Sequence, residues 1–254
     1  QVRHILIILS LFLFSLTVIS CAKKSSDDAL TSSNGLFVSV GDNGTILTSS
    51  DGTSWTERTS GISRGLWEVT YGNGTFVTVG DNGTILTSSD GTTWTERTSG
   101  TSQFLYEVTF GNNTFVAVGG EWFVNGTILT SSDGISWTSR TSGTTNNLYE
   151  VTYVNGLFVV VGRNGTILTS SDGITWTERT SGTTTFLYGV TYGNGLFVVV
   201  GRNGTILTSS DGTSWDNRTS GTTQYLREVT YGNNTFVSVG SSGTILTSSD
   251  GTTW

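Results

Sequence analysis

The chain has 254 residues with one histidine, one cysteine and no methionine or proline, and its formal net charge is −7. Such an acidic chain is a poor candidate for nucleic-acid binding, which requires Lys and Arg to neutralise phosphates. His4 and Cys21 both lie near the amino terminus, which excludes histidine catalysis and a His/Cys metal site from the remaining sequence. We therefore expect no metal and no cofactor.

Residues 1–20 are predicted to be a signal peptide. Arg3 and His4 precede an apolar run from Ile5 to Ile19, which is short for a membrane span and typical of a signal-peptide core. Val18-Ile19-Ser20-Cys21 resembles the lipobox of bacterial lipoproteins. That resemblance implies lipid attachment at Cys21 and a protein anchored outside the cytoplasm, at the outer membrane or cell surface. A plain signal peptide with a chance cysteine is the alternative. Residues 21–34 are small and polar, as in a flexible tether.

Residues 35–254 are predicted to consist of repeats. The motif GTILTSSDG recurs, and its aspartates are spaced by 39 residues except for one interval of 43; they are Asp51, Asp90, Asp133, Asp172, Asp211 and Asp250. The longer interval contains an insertion, GEWFV, at 120–124. A period near 40 residues indicates a solenoid or a propeller.

Because the chain lacks methionine and stops within a copy of the motif, we interpret it as truncated at both ends.

Each repeat is predicted to form four short strands, here called A to D. In one copy they are Leu105–Phe110, Thr114–Val118, Thr127–Ser131 and Trp137–Thr141, separated by Gly, Asn and Asp. Helical periodicity is absent after the signal peptide. Four strands per repeat predict an all-β fold, a β-propeller with four-stranded blades of about 39 residues.

Six repeat units are recognised. We expect residues 36–60 to supply strands B, C and D without a strand A, which a downstream strand would complete. Full units then begin near Leu66, Leu105, Leu148 and Leu187, and the last unit begins at Leu226. The intact propeller would have six to eight blades.

The segment Ser-Ser-Asp-Gly-x-x-Trp between strands C and D resembles the Asp box of the bacterial neuraminidase repeat, with one residue fewer between Asp and Gly. Together with its flanks, such as WTERTSGTT and GLFVVVGRNGTIL, it resembles the repeats of the photosystem II assembly and stability factor family and its bacterial relatives. The resemblance extends over 35–254 and implies a propeller. An Asp side chain can accept hydrogen bonds from its own turn, and six equal aspartates cannot be six active sites. We interpret them as structural.

The differences between copies predict where binding residues lie. The A–B and C–D turns hardly change, whereas the B–C and D–A loops vary and share one face of a four-stranded blade. Loops on a rigid scaffold are the usual place for binding residues. The candidates on this face are Arg64, Trp67, Phe104, Trp122, Phe123, Arg163, Phe186, Arg202, Tyr225 and Arg227. Tyr106, Tyr149 and Tyr188 belong either to this face or to the core between blades.

Two further residue types recur once per unit. Each strand D carries an arginine, at 58, 97, 140, 179 and 218. In the family that the repeats resemble, an arginine-rich patch is implicated in partner binding, but a solvated ion pair explains these arginines equally well. Strand A carries Glu68, Glu107, Glu150 and Glu228, with Gly189 in the corresponding place of one unit. These glutamates are expected to line a hydrated acidic channel.

The sequence favours a non-enzymatic, lipid-anchored module outside the cytoplasm that binds a protein or a carbohydrate through its variable face. Exposed aromatic rings beside arginines suit sugars, peptides and carboxylates. A sialidase-like glycosidase would need several arginines and a Tyr–Glu pair converging from unlike blades, and no such constellation is evident. A purely structural or adhesive surface protein is the third possibility. We expect membrane contact through the lipid alone.

Overall fold

The computed structural model describes residues 35–121, 124 and 126–254, together with the backbone of residues 18–23. The chain divides into two compact units, which we call the first unit (Gln1–Ala117 with Leu129–Ser139) and the second unit (Val118–Ile128 with Arg140–Trp254). The described residues form β-strands and short 3-10 turns. No helix in this part of the chain has the length and apolar character needed to span a bilayer.

The strands form six sheets, and within each sheet neighbours in space are also neighbours in sequence. The first sheet contains β1 (Val18–Lys23), β2 (Phe37–Gly41), β3 (Ile46–Ser49) and β4 (Thr56–Arg58). The second contains β5 (Leu66–Gly72), β6 (Thr75–Gly80), β7 (Ile85–Ser88) and β8 (Thr95–Arg97). The third contains β9 (Leu105–Gly111), β10 (Thr114–Gly119), β11 (Thr127–Ser131) and β12 (Thr138–Arg140).

The fourth sheet contains β13 (Leu148–Val154), β14 (Leu157–Gly162), β15 (Ile167–Ser170) and β16 (Thr177–Arg179). The fifth contains β17 (Leu187–Gly193), β18 (Leu196–Gly201), β19 (Ile206–Ser209) and β20 (Asp216–Arg218). The sixth contains three strands, β21 (Leu226–Gly232), β22 (Thr235–Gly240) and β23 (Ile245–Ser248).

The predicted four-stranded repeat is confirmed. Strand D is shorter than predicted because Trp137 remains in the preceding turn, where its Nε1 donates to the carbonyl of Gly134.

One prediction about the first sheet is wrong. We expected this sheet to lack strand A, but β1 occupies that place and pairs antiparallel with β2. Its register has the same irregularity as the other A strands: Val18 faces Gly41, and the register shifts before Ser20, just as it shifts between Leu66 and Glu68. A strand pattern could not be recognised here because β1 continues an apolar run, in which periodicity does not separate strand from signal-peptide core.

The Asn-Gly pairs form hairpin turns, as predicted. Between β5 and β6, Asn73 and Gly74 both have positive φ, 46° and 76°, and Gly72 pairs with Thr75. A type I′ turn requires positive φ at both central residues, and Asn and Gly accept it most readily. The B–C turns at 42–44, 81–83, 163–165 and 202–204 use the same pair after a first residue that varies between copies, and the turn at 241–243 has Ser242 in place of Asn.

Within each unit, the core is built between successive sheets. In one cluster of the second unit, Val159, Val161 and Ile167 of one sheet pack against Leu187 and Val190 of strand A in the next. All five side chains are at most 2 % exposed. In β14 and β15 successive apolar residues are buried, so these strands present apolar side chains on both faces, which fits sheets stacked against one another.

Candidate functional site

The repeated aspartates close their own turns. Asp172 Oδ1 accepts hydrogen bonds from the backbone N–H groups of Ile174 and Thr175, both at 2.8 Å, and from the Ser170 hydroxyl at 2.9 Å. These bonds stabilise the ionised carboxylate, so the backbone donors lower the pKa of Asp172 below its usual value. The negative charge of Asp172 is thus stabilised by hydrogen-bond donors of its own turn.

The other five copies make the same bonds. In each, Oδ1 accepts from the backbone N–H groups two and three residues ahead, at Asp51, Asp90, Asp133, Asp211 and Asp250. The tryptophan that follows packs against the core: the Trp176 ring lies 6.2 Å from that of Phe158. This geometry is that of a structural turn repeated six times.

A constant backbone contact brings the variable positions side by side. The first residue of the B–C turn donates its N–H to the carbonyl of the residue before strand A, as Arg202 does to Phe186 at 2.8 Å. The same bond joins Ser241 to Tyr225 at 2.8 Å and Arg163 to Asn147 at 2.9 Å. The repeat therefore keeps this backbone contact fixed while the side chains on either side of it change.

In the second unit these positions form a continuous group of alternating guanidinium groups and rings, which we call the arginine–aromatic ladder: Arg163, Phe186, Arg202, Tyr225 and Arg227. The guanidinium carbons of Arg163 and Arg202 lie 5.4 and 5.7 Å from the centre of the Phe186 ring. Arg202 and Arg227 lie 5.0 and 5.7 Å from the centre of the Tyr225 ring. All four distances are within the range of a cation–π interaction.

Further contacts hold the ladder in place. Arg202 Nε donates to the Tyr225 hydroxyl at 2.9 Å. Arg227 also lies 5.1 Å from the Tyr188 ring, which in turn lies 5.5 Å from the Tyr149 ring. Tyr149 and Tyr188 therefore belong with the variable-face residues rather than deep in the core, and both are half-buried.

Two of the ladder arginines are exposed cations. Arg202 and Arg227 are both exposed, and neither forms an ion pair with a carboxylate in the described part of the chain. Phe186 and Tyr225 are half-buried beneath them. Although the chain has a net charge of −7, the ladder is therefore a locally positive surface, with the rings of Phe186 and Tyr225 lying beneath the guanidinium groups.

The corresponding residues of the first unit are arranged differently. Arg64 forms an ion pair with Glu96. Trp67 Nε1 donates to Asp81 Oδ1 at 2.6 Å, and the N–H of Gly65 donates to Asp81 Oδ2 at 3.1 Å. Both residues were predicted as ligand-binding candidates, and the Arg64 guanidinium and the Trp67 indole N–H are engaged within the protein.

The remaining candidates fall into two groups. Phe104 stacks on Tyr106 with ring centres 6.0 Å apart, and Tyr106 meets Trp67 edge to face at 6.3 Å. Trp122 and Phe123, and the side chain of Cys21, lie outside the described residues. The structure thus brings together five of the ten predicted face residues in the ladder and three, Arg64, Trp67 and Phe104, in the first unit.

Glu228 on strand A is a partly buried carboxyl group. Its Oε1 accepts the N–H of Val229 at 2.9 Å, and its backbone passes Gly189 of β17 so closely that a Cβ there would lie 3.2 Å from the Glu228 Cα. Burial raises the pKa of Glu228 to about 7. The acidic channel that we expected from the strand A glutamates stays a prediction.

We expect Glu228→Gln to stabilise the protein increasingly as the pH rises. The folded-state pKa of Glu228 lies above the ordinary value of 4.5, so between pH 4.5 and 7 this carboxyl group binds more protons in the folded state than in the unfolded chain. Its contribution to stability therefore falls as pH increases. The gain in unfolding free energy should grow from near zero at pH 4.5 to about 1–3 kcal/mol at pH 8. Urea denaturation at both pH values measures it, with the exposed Glu178→Gln as control. A gain that is equal at both pH values would contradict the assignment.

Among the described residues, no group of three or more His, Cys, Asp or Glu side chains is placed to hold a metal ion. The arrangement instead offers guanidinium donors above aromatic rings, which can pair with carboxylates and stack on planar groups.

Comparison with known proteins supports the fold. No family model matches the sequence, and no curated protein matches it. Among solved structures, the chain is similar to the computationally designed Ika8 protein (16% identity, TM-score 0.69, covering 91% of this chain and 70% of that one). It is also similar to YCF48 from Cyanidioschyzon merolae, with 16% identity and a TM-score of 0.62, covering 84% of this chain and 79% of that one. For YCF48 bound to D1 peptide the identity is 16% and the TM-score 0.65, covering 91% of this chain and 76% of that one. These likenesses, together with the sheet order, identify the fold as a β-propeller.

Proposed function

We propose that the chain is a binding module whose arginine–aromatic ladder recognises an acidic segment of a partner protein. The observation that carries this proposal is the ladder itself: Arg163, Arg202 and Arg227 alternate with the rings of Phe186 and Tyr225 within cation–π distance. A peptide offers carboxylates for the guanidinium groups and planar amides or rings for the aromatic floor.

Peptide binding by a protein of the same fold supports a protein partner over a sugar. YCF48, at 16% identity, has been solved bound to D1 peptide. Fold alone does not carry function, so the charge and ring arrangement of this chain decides the ligand class. Exposed Arg202 and Arg227 favour an anionic ligand, and the half-buried rings favour one that also offers planar groups.

The ligand-side test is a titration with labelled peptides. An octapeptide of alternating Glu and Tyr should bind at least tenfold tighter than the same peptide with Gln in place of Glu, because only carboxylates form charge-assisted bonds with arginine. Raising the salt concentration from 50 to 300 mM should weaken the binding. Equal affinity for both peptides would refute the acidic-ligand assignment, and turnover of a fluorogenic sialoside would favour a glycosidase instead.

We propose that the module acts outside the cytoplasm and is held there by a lipid on Cys21. The support is the lipobox-like Val18-Ile19-Ser20-Cys21 behind an apolar run. Cleavage before Cys21 would remove the first three residues of β1. The mature first sheet would then leave the end of β2 at Val40 and Gly41 without a partner strand on that edge, which a strand of another segment could complete.

A further inference from the structure

A second type of concave surface recurs outside the ladder. In three sheets a groove lies between the Asn-Gly turn before strand C and the Thr-Ser-Gly loop after strand D; we call these the rim grooves. Their volumes are about 840, 700 and 600 Å³, beside Arg58, Arg179 and Arg218 respectively. These volumes fall within the range of small-ligand sites, roughly 300–1,000 Å³.

The rim grooves have rigid walls. The Ser181 hydroxyl donates to the Thr183 carbonyl at 3.1 Å and accepts the Thr183 N–H at 3.3 Å. Ser220 and Thr222 repeat both bonds in the next sheet. On the other wall, Arg179 Nε donates to Thr169 Oγ1 at 2.8 Å, which fixes the guanidinium group at the groove. The walls are therefore already arranged for a ligand.

The arginine of strand D recurs in the copies because it bonds a threonine of strand C, rather than because it forms the expected ion pair. Arg58, Arg97 and Arg218 bond Thr48, Thr87 and Thr208 through Nε in the same way as Arg179 bonds Thr169, each at 2.8 Å. Among the described residues, Arg218 is also paired with an acid, Asp216, at 3.1 Å. Because Nε bonds the strand C threonine, the terminal nitrogens of Arg58 and Arg179 can face the first two grooves. In the third groove, one terminal nitrogen of Arg218 is already bonded to Asp216.

The lining of the rim grooves is mostly polar, and carboxylates and guanidinium groups are equal in number in the first two grooves. The third groove is lined by one guanidinium group, that of Arg218, which is paired with Asp216. The second groove contains the Asn164 amide, one carboxylate from Glu178, one guanidinium from Arg179, and the hydroxyls of Thr180 and Thr184. No aromatic side chain lines any of the three grooves. Amide, carboxylate and guanidinium groups together donate to and accept from neighbouring hydroxyls. A neutral ligand rich in hydroxyl groups satisfies such a lining better than an anion does.

The repetition distinguishes these grooves from the ladder. The ladder is built from residues of the B–C and D–A connections that differ between copies, whereas the rim grooves are built largely from the Asn-Gly and Thr-Ser-Gly parts of those connections, which recur. The first groove also includes Ile62, Ser63 and Arg64, which differ between copies. Similar sites repeated along one chain suit a ligand that repeats as well. Open grooves bind each unit weakly, but a polymer that engages several gains avidity. We propose that the rim grooves bind a neutral polysaccharide, one short stretch of sugars per groove.

Binding is tested with long-chain dextran, laminarin and mannan, and with the trisaccharide of each. At least one polymer should bind, with an apparent affinity at least 100-fold above that of its trisaccharide. Failure of all three polymers to bind, or equal affinity for polymer and trisaccharide, would overturn the proposal.

Groove-filling variants locate the site without removing the arginines that hold strand C. Thr184 and Thr223 are exposed at the edges of two grooves. Thr184→Trp and Thr223→Trp should each lower polymer affinity several-fold, and the double variant should lower it more than tenfold. Thr175→Trp, at an exposed residue outside the grooves, is the matched control. Retained binding in the double variant, or competition by the acidic octapeptide, would show that the grooves are not the polysaccharide site.

Discussion

Replacing Arg202 with alanine is expected to weaken the binding of an acidic peptide by about 10- to 100-fold. Arg202 lies at the centre of the ladder, 5.7 Å from the Phe186 ring and 5.0 Å from the Tyr225 ring, and it also bonds the Tyr225 hydroxyl. The variant removes a charge-assisted contact with the ligand, worth about 1.5–3 kcal/mol, and releases the Tyr225 ring. Fluorescence anisotropy of the labelled octapeptide measures the loss.

Two variants control this result. Arg218→Gln removes one charge from the same sheet, at a residue on strand D that is paired with Asp216, and should change affinity less than twofold. Arg202→Lys keeps the charge but loses the planar fork, so its affinity should fall between those of wild type and alanine. If Arg218→Gln weakens the peptide as much as Arg202→Ala, overall charge rather than the ladder determines binding.

Gly193→Ala is expected to destabilise the protein by about 1–3 kcal/mol, whereas Gly232→Ala at the same repeat position is expected to be neutral. A Cβ on Gly193 would lie 2.1 Å from Cγ of the Tyr231 ring, so the ring lies directly on the glycine. A Cβ on Gly232 would meet no atom within 4 Å. Overpacking a rigid contact costs free energy because ring and backbone must move apart.

The pair isolates packing from backbone preference, since both glycines end a strand A in the same unit and neither has the left-handed φ. Urea denaturation of the two variants gives the difference in unfolding free energy. A Gly232→Ala variant as unstable as Gly193→Ala would show that the loss arises from the strand rather than from the Tyr231 ring.

Much of the architecture follows from local rules written into the repeat. The 39-residue spacing and the four segments between turn residues predicted the sheets, because short strands bounded by Gly, Asn and Asp leave few alternatives. The turn around Asp172 was predictable for the same reason: its bonds to Ile174 and Thr175 close within three residues. Comparison of the copies also separated the constant turns from the variable face.

Only the tertiary structure decided how the variable residues are used. Arg64 in a D–A loop and Arg202 in a B–C turn were both predicted as face residues. In the structure Arg64 forms an ion pair with Glu96, more than thirty residues away, whereas Arg202 contacts the rings of Phe186 and Tyr225. The rim grooves join a turn and a loop that are separate in sequence, and β1 reveals its strand role only by pairing with β2. Local hydrogen bonds are encoded by neighbouring residues, so sequence determines them. Contacts between sheets depend on which side chains meet after packing, and that information exists only in the folded chain.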